Sequence, residues 1–159
     1  MHAITRRALA LLAVAAAFWP ALGFSQGKPP VKIGAVFSMS GPAAVFGIPE
    51  RDSLNSLIKE YGGMMDGRKV DFVFCDDKTN PTEAARCVTQ LVSDEKVVAI
   101  IGPGTGGGIL AAGPIAQRLS VPLLGPAGTV AITDKNNAFY PWIFRIAPND
   151  TSGMESLWK

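Results

Sequence analysis

The chemistry open to this chain is bounded by its reactive side chains. The sequence has a single histidine, His2. Everything beyond that position lacks an imidazole to activate a serine or cysteine nucleophile, or to build a histidine-containing metal site. Asp76 and Asp77 are adjacent carboxylates. Consecutive side chains on a strand point to opposite sides, so the pair reads as loop or helix-start acids and not as a general acid and base. Cys75 and Cys87 are the two cysteines, and they read either as one disulfide or as two small buried hydrophobes. The remaining candidate is the glycine loop Gly102-Pro103-Gly104-Thr105-Gly106-Gly107, which meets the G-x-G-x-x-G spacing between an apolar run and a helical pattern. Two facts disfavour a dinucleotide there: the loop follows the third strand and not the first, and the next strand runs into Leu124-Gly125-Pro126 with no acid for a ribose. The loop is then either a structural glycine turn or a seat for an anionic or polar ligand, whose carboxylate would meet free amides at a helix start.

The elements that would position these residues alternate along the chain. Val31–Phe37, Val70–Cys75, Val97–Ile101 and Val121–Leu124 read as strands, mostly apolar as in a sheet covered on both faces. Between them lie helical patterns. The first has Pro49 in its first turn, then Leu54, Leu57, Ile58 and Tyr61, and stops at Gly62-Gly63. The second opens at Pro81 and carries Ala84, Val88, Leu91 and Val92; the third runs from Ile109 to Leu119, with Gly113-Pro114 as a source of distortion. Trp142–Arg145 reads as a further short strand, and Asn149-Asp150-Thr151 as a helix start. This alternation predicts an α/β fold, a doubly wound and mostly parallel sheet with right-handed crossovers. Such sheets bind ligands at the carboxyl ends of their strands, which singles out loops 38–47, 76–80, 102–108 and 125–131. On the first of these, Met39-Ser40-Gly41-Pro42 and Phe46-Gly47 read as turn residues with a packed aromatic, or as a ligand-touching loop with an aromatic wall.

The amino terminus carries an address. Arg6-Arg7 precede an apolar run from Ala8 to Phe18, and Pro20, Gly23 and Ser25 follow. A positive end, a short apolar stretch and small residues near a cut site make a secretory signal over residues 1–25. The run is about half of the ~20 residues that span a bilayer. Thr5-Arg6-Arg7-Ala8-Leu9 has a faint twin-arginine look, but paired arginines are common in ordinary signals. The formal charge of the whole chain is +2, and loss of Arg6 and Arg7 leaves the mature part formally neutral. No basic cluster is present to engage nucleic acid or an anionic membrane.

The ordered set of short motifs resembles a known family. Val31-Lys32-Ile33-Gly34, Ser38-Met39-Ser40-Gly41-Pro42, Phe46-Gly47, Gly62-Gly63-Met64-Met65-Asp66-Gly67-Arg68, Asp76-Asp77-Lys78-Thr79-Asn80-Pro81, Ile100-Ile101-Gly102-Pro103 and Val121-Pro122-Leu123-Leu124 are similar, in order and spacing, to ABC-transporter solute-binding proteins of the branched-chain amino-acid (Leu/Ile/Val-binding) type. The resemblance covers about residues 31 to 151. It implies a periplasmic-binding-protein fold of type I, in which two α/β lobes close on a ligand, with residues 26–159 as the first lobe and the second absent. The chain ends where it would cross to that lobe and reads as an amino-terminal fragment. The resemblance implies that Thr105, Gly106, Ala127 and Thr129 hold a ligand's carboxylate and amine, and that Phe46 covers it. At Gly106 the amino-acid binders typically carry a serine, so the ligand is an amino acid, another small carboxylate or an aromatic acid. Cys87 falls on a helix, unlike the loop-to-loop cysteine bridge of some members.

The implied function is the periplasmic solute-binding component of an ABC importer. It would catalyse nothing, need no cofactor or metal, close by a hinge around a small acid and dock on a permease in the inner membrane. Two other functions fit parts of the sequence: an exported ligand-sensing domain of a regulatory system, and a dinucleotide-binding enzyme built on the glycine loop.

Overall fold

The structure, a computed structural model, describes residues 28–133, 136, 139 and 141–158. The secretory signal read at residues 1–25 lies outside the described residues. The chain forms β1 (Val31–Phe37), α1 (Ala44–Glu60), β2 (Met64–Met65), β3 (Arg68–Asp76), α2 (Pro81–Ser93), β4 (Ile100–Ile101), α3 (Gly106–Arg118), β5 (Leu123–Gly125), a 3-10 turn (Val130–Ile132), β6 (Ile143–Arg145) and α4 (Asp150–Leu157). The sheet runs β2-β3-β1-β4-β5-β6. All pairings are parallel except the antiparallel β2–β3 contact.

Because β3 lies on one side of β1 and β4 on the other, right-handed crossovers send α1 to one face of the sheet and α2 and α3 to the other. The core forms on the α2–α3 face. Val36, Cys87, Val88, Leu91, Ile100, Ile109, Ala112, Ala116 and Leu123 are all buried there. Asn80 starts α2 well: its side-chain oxygen accepts from the Thr82 and Glu83 amides at 2.8 and 3.3 Å, and Pro81 fills the first helical position. On the other face α1 covers the sheet alone. Grooves of about 440 and 460 Å³ flank it, one lined by Phe37, Leu54, Ile101 and Ile146, the other by Ile58, Tyr61, Met65 and Phe72.

Three elements depart from the sequence pattern. Helix α1 begins at Ala44, five residues before Pro49, because the Phe46 and Gly47 amides both donate to the Ala43 carbonyl (3.0 and 3.1 Å) and close a turn ahead of the proline. Phe46 and Gly47 therefore stand on a helix and not on a loop. Gly47 is needed there, since a Cβ would run into the Ser38 backbone. Helix α3 likewise takes in Gly106–Gly108, where a threonine cap outweighs poor glycine propensity. The third strand shortens to Ile100–Ile101. Its approach follows β1 through single bonds, Val98 N–H to the Lys32 carbonyl and Gly34 N–H to the Ala99 carbonyl, both 2.9 Å.

Candidate functional site

The order of the parallel strands, β3-β1-β4-β5-β6, reverses direction between β1 and β4. At such a point the exit loops of the two strands part and leave a crevice. The loop after β1 and the glycine loop after β4 form its two sides.

The β1 side is fixed by the two adjacent acids. The register sets Phe37 beside Asp76, so Ser38–Ser40 and Asp76–Asp77 leave the sheet together. Asp76 accepts from the amides of Met39, Ser40 and Lys78 (2.9, 3.2 and 2.9 Å) and from the Ser40 hydroxyl (2.7 Å). Burial acts to raise its carboxyl, but the Ser40 hydroxyl and the Lys78, Met39 and Ser40 amides outweigh it and hold the carboxyl below its ordinary value. Asp77 is buried, 1% exposed. It accepts from the Ser38 hydroxyl at 2.6 Å and the Thr79 amide at 2.9 Å. Thr79 then bridges back, its hydroxyl donating to the Ser40 carbonyl and accepting from the Ala43 amide, both at 3.0 Å. The acids are loop fasteners at the head of α1. The DD pair was visible in sequence, but its partners became so only with the strand register.

On the β4 side, Thr105 is the N-cap of α3, its hydroxyl accepting from the Gly108 amide at 3.2 Å. The amides of Gly106 and Gly107, in the first turn, have no intrahelical acceptor. Thr129 comes from the loop after β5 and lays its hydroxyl directly over Gly106, in the space a Cβ would take. Gly106 and Thr129, separate in sequence, thus meet at one helix N-terminus. Ala127 is buried in the same loop. Phe46 stands in the first turn of α1 with its ring 68% exposed. What these loops offer is amides, a hydroxyl and a helix dipole, groups that hold an anion without transforming it.

Sequence reasoning passed over Glu50. One turn beyond Gly47 on α1, it sets its carboxyl against Gly104, with Oε2 2.8 Å from where a Cβ would stand. That oxygen is buried without a hydrogen-bond partner. Burial pushes the carboxyl above its ordinary value, and the charge of Asp77 pushes it further. Behind the site, Cys75 on β3 and Cys87 on α2 are bridged, with Cα atoms 5.8 Å apart. Among the described residues no group of three or more histidine, cysteine or acidic side chains could hold a metal, and no helix is long and apolar enough to cross a membrane.

A doubly wound lobe whose switch-point loops present helix-terminal amides and a hydroxyl has the fold of type I periplasmic binding proteins. The chain belongs to that family: the family model described as periplasmic binding protein matches residues 30–159. No curated protein gives a significant match. Among solved structures, an extracellular ligand-binding receptor from Rhodopseudomonas palustris HaA2 is 31% identical with a TM-score of 0.73, over 80% of this chain and 34% of that one. The branched-chain amino acid transporter substrate binding protein LivJ from Streptococcus pneumoniae, in complex with isoleucine, is 33% identical with a TM-score of 0.70, over 77% and 35%. A solute binding protein of an ABC transporter from Rhodopseudomonas palustris BisB5, in complex with 3,4-dihydroxy benzoic acid, is 30% identical with a TM-score of 0.70, over 76% and 32%. The chain therefore spans about a third of the length of these structures.

Proposed function

We propose that this chain is the amino-terminal lobe of an extracytoplasmic solute-binding protein that delivers a small carboxylate to an ABC permease in the inner membrane. The observation that carries the reading is the meeting of Gly106 and Thr129 at the α3 N-terminus, where a carboxylate would find two free amides and a hydroxyl. Thr105 shapes the loop by capping, and Ala127 presents its backbone beside Thr129. Phe46, exposed on α1, would cover the ligand from the other side of the crevice. Its exposure fits a lobe that meets a second lobe across the ligand, with a hinge between them.

The class of ligand is an amino acid or an aromatic acid. Relatives bound to isoleucine and to 3,4-dihydroxy benzoic acid bracket it, and the absence of a side chain at Gly106 widens the space above the amides. Export would follow removal of residues 1–25, after which the exported protein begins near Gln26. The deciding experiment is calorimetry of the protein carrying its second lobe, titrated with branched-chain amino acids and with hydroxybenzoates. Saturable micromolar binding of a member of either group supports the reading. If every carboxylate fails to bind, the reading falls.

A further inference from the structure

Glu50 and Asp77 are two acids that the ligand site does not use. Each has one carboxylate oxygen buried without a hydrogen-bond partner, Glu50 Oε2 and Asp77 Oδ2. Leaving both oxygens anionic and unpaired out of water would be costly. Their positions follow from the helix. Gly47 brings the α1 backbone onto Ser38, and Ser38 donates to Asp77. Glu50 is three residues on, so it projects from the same face toward the same strand ends. We propose that Glu50 and Asp77 share one proton in the folded protein, and that this bond ties α1 to the strand-end loops in acidic surroundings and releases as they turn alkaline. In the bonded state the Glu50 carboxyl donates to the free oxygen of Asp77. On release the proton passes to solvent and two like charges face each other.

The surroundings of the pair hold no cation in position to take the proton's place. Phe37, Ile101, Pro126 and Ile146 line the groove beside Glu50 and carry no charge. Asp76 is engaged by three amides and the Ser40 hydroxyl. Arg51, next to Glu50, pairs with Asp52 at 2.8 Å. Lys78 lies exposed in the Asp77 turn, and Arg145 donates to the Gly128 carbonyl at 3.5 Å. The groups that bear on the Glu50 carboxyl are its own burial and Asp77.

The direction of the pH effect follows. Glu50 holds its proton more tightly in the folded chain than in the unfolded one, so its contribution is fully present below about pH 4.5, its ordinary value. That contribution is lost as pH rises through the raised value of the folded state. Glu50→Gln keeps the shape and donates from an amide at every pH. Melting curves of the whole protein from about pH 4.5 to about pH 8 should show E50Q more stable than the parent by a few degrees at the alkaline end, with the difference closing toward the acid end. A parallel pH slope in parent and variant overturns the proposal. A direct measurement guards against a variant that fails to fold. In the parent labelled with carboxyl carbon-13 glutamate, one resonance should titrate above all others and should be missing from E50Q. If every glutamate titrates in the ordinary range, Glu50 shares no proton and the proposal is wrong.

Discussion

At the scale of single residues, the molecule separates side chains that hold loops from side chains that face the crevice. Thr129 is of the second kind. In the protein carrying its second lobe, Thr129→Ala should weaken ligand binding by about 10- to 100-fold, the worth of roughly 1.5–3 kcal/mol for a hydrogen bond to a charged group. Calorimetry against a surface threonine control is the measurement, and an unchanged affinity would remove this loop from the site. Asp76 is of the first kind. Its carboxyl is held low by bonds that the unfolded chain lacks, so its stabilisation is present above the ordinary value, 3.8, and is lost as pH falls through the depressed value of the folded state. Acid unfolding of the parent should therefore steepen below about pH 4, and Asp76→Asn should flatten that limb while lowering stability near neutrality. If acid unfolding curves of the two proteins coincide, the Ser40 and amide contacts contribute nothing. Glu50 could not be read from sequence because nothing in its neighbours announces it. Its character arises where a helix, a strand end and a glycine loop from distant parts of the chain converge.

At the scale of elements, periodicity served well wherever one face is buried in the α2–α3 core. The Pro81 helix, with its Asn80 cap and buried Ala84, Val88 and Leu91, is as the pattern reads. It misled where punctuation residues sit inside elements. Pro49 marks a helix start by rule, yet α1 begins at Ala44, since a tertiary contact at Gly47 sets the path of the chain before local propensity can. Short ladders such as β2 and β4 carry too few residues for alternation to register. The pairing of β3 with α2 through Cys75 and Cys87 was open in sequence, because a strand-to-helix distance cannot be judged from spacing. Closing this short loop should stabilise the chain by roughly 3 kcal/mol. Native exported protein should show no titratable thiol, and reduction should lower its denaturation midpoint without abolishing the fold. Two free thiols in unreduced material would contradict the bridge.

At the scale of the whole molecule, the two faces of the sheet differ. One has a closed core. The other has α1 alone, with Leu57, Tyr61, Phe144 and Ile146 exposed around it. The crevice is likewise one-sided, since it offers Thr129 and the α3 amides but no opposing wall. Ligand pockets bury about 70–90% of a small molecule, and charge-assisted contacts left in water are screened by salt. The 159-residue chain by itself should therefore show no saturable binding of amino acids or hydroxybenzoates tighter than about millimolar, the scale of ~4 kcal/mol. Equilibrium dialysis of the monomeric chain tests this, and micromolar binding would mean that a single lobe suffices. The contact of Thr129 with Gly106 also constrains the history open to this loop. A serine at position 106, as in the amino-acid binders the chain resembles, would place its Cβ where the Thr129 hydroxyl now lies, and a β-branched side chain has few rotamers in which to yield. The two positions are epistatic: a lineage moving between the two loop chemistries passes more easily through a change at 129 first, and the reverse order crosses a fitness valley.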